Sequence, residues 1–74
     1  MIITVNAAMK GSDITQLLEA YEENGLTFKF IKKTGLKHEF EHNGSDKDEA
    51  VSLVKKLIRS TDYGSGLFFS VSAE

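Results

Sequence analysis

Two stretches of this 74-residue chain follow one plan, a run of strand-type residues and then a capped amphipathic helix, and the second helix leads into a last strand. That β-α-β-β-α-β order constrains the fold more than any single motif. A one-sided sheet and two one-sided helices of this length bury their apolar faces together only by packing in two layers. The expected class is therefore α+β: one domain over residues 1–74, a two-layer open-faced sandwich with a four-stranded antiparallel sheet and both helices on one face.

The strands show it by alternation. Ile3, Val5 and Ala7 fall on one side of the first strand, Ile2 to Ala8, while Ile2, Thr4 and Asn6 fall on the other. In the central hairpin, a three-residue loop Lys33-Thr34-Gly35 pairs Phe28 with Phe40 and Lys29 with Glu39. It sets Leu26, Phe28, Phe30, Leu36 and Phe40 inward and Thr27, Lys29, Ile31, Lys37, Glu39 and Glu41 outward. A two-residue turn at Thr34-Gly35 would instead put carboxylates on the core face. The last strand runs from Leu67 to Ser72 with Leu67, Phe69 and Val71 inward.

The helices show it by period. Asp13 with Gln16 has capping-box spacing, and Ile14, Leu17, Leu18 and Tyr21 form the stripe behind it, stopped by Asn24-Gly25. Asp46 with Glu49 repeats the box before Ala50, Leu53, Val54, Leu57 and Ile58. Lys55, Lys56 and Arg59 suit the carbonyl end of that helix dipole, as Asp46 and Asp48 suit its start. The commonest sheet of this kind is ferredoxin-like, strand order 4-1-3-2. The competing order 1-4-2-3, as in histidine phosphocarrier-type folds, puts the third strand at an edge, where the charge of Lys37-His38-Glu39-Phe40-Glu41-His42 is tolerated.

Gly44-Ser45-Asp46-Lys47-Asp48-Glu49-Ala50, leading into Leu53, Leu57 and Ile58, resembles the strand-to-helix junction of the histidine phosphocarrier family. The likeness spans under a quarter of the chain. That family implies a histidine-bearing loop after the first strand, but here the loop reads Ala7-Ala8-Met9-Lys10-Gly11-Ser12-Asp13. No activity is carried over.

Composition excludes several function classes. With no cysteine there is no disulfide, thiolate nucleophile or zinc–cysteine site. A net charge of −2 gives no field for polyanions, and Glu39 and Glu41 interrupt the lysines at 29, 32, 33 and 37, so nucleic acid is not the expected partner. No secretory leader or membrane span is visible, which points to a cytoplasmic protein.

Few residues suggest chemistry. His38 and His42 lie about 13 Å apart on a strand at ~3.3 Å per residue, with Phe40 between them, too far to share a metal. They are expected at the periphery of the core. Gly64-Ser65-Gly66 precedes a strand and lacks the context of a nucleophile elbow or dinucleotide loop. Asp46-x-Asp48-Glu49 fits helix capping better than calcium. No catalytic residue, metal or cofactor is expected.

Two functions remain. The first is a non-enzymatic interaction or regulatory module that binds itself or a protein partner through an edge strand or the open sheet face, Ile2, Thr4, Thr27, Lys29, Ile31, Phe68 and Ser70. The second is a small-anion, phosphate or metabolite site, phosphocarrier-like or weakly enzymatic, at Lys10, Gly11 and Ser12, where the first helix begins. A cap at Asp13 would compete for its donors.

Overall fold

A computed structural model describes residues 1–74. Its elements are β1 (Ile2–Ala7), α1 (Gly11–Glu19), β2 (Glu22–Glu23), β3 (Leu26–Thr34), β4 (Lys37–His42), α2 (Lys47–Arg59) and β5 (Phe69–Ala73), with a short 3-10 turn at Gly64–Gly66 before β5. The sheet is antiparallel, five-stranded and curled into a half-barrel, in the order β2-β3-β4-β1-β5. Helix α1 packs on β3, α2 packs on β5, and the helices touch each other.

The alternation in β1 holds: Ile3, Val5 and Ala7 are buried. They meet Phe28 and Phe40 from the hairpin, Ile14 and Leu18 from α1, and Ala50, Val54 and Ile58 from α2. Burying each large side chain of this set stabilises the fold by roughly 1.5–3 kcal/mol. Leu17, Tyr21, Leu53, Leu57, Phe69 and Val71 pack partly buried around that centre.

Four expectations are corrected. The sheet has a fifth strand, because Asn24 (φ 53°) and Gly25 (φ 77°) form a two-residue turn with both centres left-handed, and Glu22 and Glu23 fold back on Thr27 and Leu26. Helix α1 therefore ends at Glu19. It also begins earlier, at Gly11, so Asp13 sits inside the first turn and does not cap it.

The hairpin register differs as well. The turn is Gly35-Leu36, with only Gly35 left-handed (φ 60°), so Thr34 opposes Lys37 and Leu36 projects into solvent, not into the core. From that turn Lys33 opposes His38 and Lys32 opposes Glu39. A bulge at Ile31 then absorbs one residue, after which Phe30 opposes Phe40 and Phe28 opposes His42. The bulge restores the inward parity of the phenylalanines that the turn alone would have broken.

The charged third long strand, β4, lies inside the sheet between β3 and β1, so the edge position of the 1-4-2-3 order is not adopted. Glu39 and Glu41 stay on the open face, with Glu39 paired to Lys32 at 3.8 Å. The helix-facing side presents His38, Phe40 and His42.

Candidate functional site

Alternation along β4 drives both histidines under the helices, one toward the start of α1 and one toward the start of α2. Only 3% of His38 and 2% of His42 is exposed. Each ring is held by Nδ1 on backbone carbonyls. His38 Nδ1 lies 3.1 Å from Leu36 O and 3.3 Å from Val5 O, and His42 Nδ1 lies 2.9 Å from Thr27 O. A carbonyl only accepts, so Nδ1 carries the proton in both. Neither Nε2 has a protein partner, and neither is sealed from the surface.

Each Nε2 edge abuts a glycine. A β-carbon on Gly11 would stand 2.4 Å from His38 Nε2, and one on Gly44 2.6 Å from His42 Nε2. Glycine is required at both places by close approach. Beyond each glycine lies a cleft, one at each helix start.

The cleft at α1, about 330 Å³, is lined by Gly11, Ser12, Thr15 and Gln16 of the helix and by Phe30, Lys33 and His38 of the hairpin. The first hydrogen bond of α1 runs from Ile14 N–H to Lys10 O (2.9 Å), and no side chain caps the turn. The N–H groups of Gly11, Ser12 and Asp13 are thus left at the positive end of the dipole. Lys33 has no carboxylate partner and borders the same space. The cleft gathers hydrogen-bond donors and positive charge around one ring nitrogen that has no protein partner, on an almost wholly buried histidine.

The cleft at α2, about 450 Å³, has the opposite character. Asp46 caps the helix by accepting from Glu49 N–H at 3.0 Å, as its spacing predicts, and Glu49 lines the same wall. His42 stacks on Phe28, with centroids 4.2 Å apart, and Tyr21 meets Phe28 edge-on at 5.8 Å. No three metal-ligating side chains converge anywhere in the chain.

Of the residues named for an anion at the first helix, Gly11 and Ser12 line the α1 cleft. Lys10 does not. It stands at the helix cap in the left-handed region (φ 64°, ψ 23°), with Nζ 6.0 Å from the centre of the Tyr63 ring. Lys33 and His38, both on the hairpin, complete the lining instead. A signal for them was present: Gly-Ser-Asp occurs at 11–13 and again at 44–46, and the histidine spacing of four along a strand puts one inward ring at each end.

The open-face residues do not converge. Ile2 sits in the row of Lys29 and Glu41, and Thr4 in the row of Lys32, Glu39 and Ser72. Ser70 lies with Asn6, Lys37 and Thr34. Thr27 is partly buried. Phe68, 94% exposed, lies just before β5 at the Ala7 end of β1, at the far end from Ile2. Ile31 is exposed at the bulge. Charge and hydroxyl groups separate the apolar members.

No helix is long and apolar enough to cross a membrane. Protein-family models, curated proteins and solved structures give no match to this chain.

Proposed function

We propose that the chain is a small-anion-binding domain whose site is the cleft at the start of α1, formed by Gly11, Ser12, Lys33 and His38. The observation that carries this reading is His38: almost wholly buried, with Nε2 unpartnered and aimed at a helix start whose N–H groups no cap consumes. Backbone donors, the dipole and a lysine together favour a phosphate-sized anion. An amide chemical-shift titration of the whole chain with inorganic phosphate tests it. Shifts in residues 9–16 and at Lys33 are expected, and silence there removes the reading.

A second reading, self-association, draws on the edge formed by β5. Glu74 exchanges hydrogen bonds with Ile2, so by alternation Ser72 and Ser70 also face β1, while Phe69, Val71 and Ala73 turn their N–H and C=O groups outward. That edge has no charge, proline or bulge. The opposite edge has Glu22 and Glu23, a bulge, three lysines, and Glu19 accepting from Phe30 N–H at 3.3 Å. Two copies of β5 paired antiparallel about Val71 would oppose Phe69 to Ala73, large to small, with both helix layers on one side. Molar mass across a concentration series tests this, and a strict monomer at high concentration removes it.

Within this proposal the fold is ferredoxin-like. The four long strands run β5-β1-β4-β3, the 4-1-3-2 order, and β2 is an added edge piece.

A further inference from the structure

We infer that the α1 cleft selects oxyanions that still carry a proton, taking hydrogen phosphate and rejecting sulfate, with His38 Nε2 as the group that discriminates. This rests on the anion-binding reading above. The Nδ1 proton is committed to Leu36 O and Val5 O, so in the neutral ring Nε2 presents a lone pair. The Lys33 ammonium and the free N–H groups of the first turn only donate, and the Ser12 and Thr15 hydroxyls and the Gln16 amide turn to donate or accept, so Nε2 is the one group of the lining fixed as an acceptor. Two other charged groups stand at that turn, Lys10 at the cap and Asp13 within it, and neither lines the cleft.

A tetrahedral anion in the cleft therefore meets donors on most sides and one obligate acceptor, on a ring that is itself almost wholly buried. Hydrogen phosphate fills that pattern, accepting through three oxygens and donating its P–OH to Nε2. Sulfate has the same charge at mildly alkaline pH and nearly the same shape, but no proton to give. Its oxygen would face the lone pair and shut water away from an acceptor that it cannot satisfy. A phosphate monoester, whose last proton leaves near pH ~6, has lost its P–OH by about pH 8.5 and belongs with sulfate. The mismatch corresponds to roughly ten- to a hundredfold in affinity.

The test uses the whole chain at about pH 8.5 and constant ionic strength, titrated separately with inorganic phosphate, sulfate and methyl phosphate. Amide shifts of residues 11–16 and the imidazole nitrogen shifts of His38 are followed together. Phosphate binding at least roughly tenfold tighter than the other two, with a change at His38 Nε2, supports the inference. Equal binding of phosphate and sulfate overturns the selectivity and leaves the anion site standing. No response to any of the three overturns the anion site and the selectivity with it. Because the comparison is between ligands on the natural sequence, it needs no substitution of a buried histidine.

Discussion

The two ends of β4 are built from the same parts and finish with opposite chemistry. At each, a buried histidine fixed through Nδ1 presses its Nε2 edge on the glycine of a Gly-Ser-Asp triplet, and a helix follows. The difference is the frame. Helix α1 starts on the glycine, after Lys10, whereas α2 starts one residue past the aspartate, which becomes its cap. A three-residue offset thus decides whether all three first-turn donors stay uncapped beside Lys33 or one of them is taken by Asp46 beside Glu49. Local sequence supplies the parts, and the point of helix initiation sets the sign of the site.

The glycines give the largest test. Alanine at 11 or 44 drives a methyl into a buried ring, and overpacking of this kind costs roughly 1–3 kcal/mol. The two sites should not cost the same. Gly11 is the first residue of α1, where alanine recovers a fraction of the ~1 kcal/mol of interior helix propensity, and Gly44 precedes its helix and recovers none. Urea unfolding should rank Gly44→Ala as the more damaging. Gly11→Ala should also lose its response to phosphate, since its methyl occupies the Nε2 mouth. The reverse stability order would break the equivalence drawn between the two ends.

The aspartates come next. Asp46→Ala frees Glu49 N–H and should cost about 1 kcal/mol, read from the same unfolding curves. Asp13 caps nothing, so Asp13→Ala should cost only about 0.3–1 kcal/mol of dipole interaction, at the low end because the side chain is exposed. Removing that negative charge from the start of α1 should tighten phosphate binding. A full capping loss at Asp13 would mean that the helix starts where the sequence spacing alone puts it.

That spacing shows what was legible and what was not. Helix α2 and its Asp46 cap follow from local residues, as do the inward faces of β1 and of Phe28 and Phe40. Asp13 with Gln16 matches the same template, yet Lys10 enters a left-handed conformation and starts α1 two residues before Asp13. Asn24-Gly25 satisfies a helix stop and a tight hairpin equally well, because both need left-handed backbone. Glu22 and Glu23 have no strand propensity to favour the second. The bulge at Ile31 was hidden because a loop of different length gives the phenylalanines the same parity. The cleft itself was illegible for a simpler reason: Lys33 and His38 meet Gly11 only through sheet register.

Lys10 and Asp46 occupy the same structural position, and glycine should move them in opposite directions. Lys10 holds φ 64°, a conformation that costs an L-residue roughly 1–2 kcal/mol. Lys10→Gly removes that cost, gives back part of it as unfolded-chain entropy, and should stabilise by about 0.5 kcal/mol. Asp46, at φ −103°, is already relaxed, and Asp46→Gly should destabilise by a few tenths of a kcal/mol. Thermal unfolding of the two variants side by side reads the difference in sign. Destabilisation by Lys10→Gly would show that Lys10 holds α1 through its side chain, for example over Tyr63.

The smallest effect concerns the tyrosine beside each helix start. Burial raises the Tyr63 phenol above its ordinary 10.0; a hydrogen bond with Thr61 offsets part of this, and the charges of Asp13 and Asp62 add to it. Burial also raises Tyr21, with the Glu23 carboxylate adding charge repulsion and a hydrogen bond. A phenol whose native pKa lies above its unfolded value favours the fold below pH 10.0, and that contribution fades as pH rises through the native pKa. The loss of stability at alkaline pH should be slight, because neither ring is fully enclosed. Tyrosinate absorbance separates the two ends. Asp13→Asn should lower the Tyr63 titration and leave Tyr21 in place, and Glu23→Gln should do the converse. If Asp13→Asn moved neither, its carboxylate would not stand on the Tyr63 side of the α1 start, and the placement of that charge outside the cleft would fail with it.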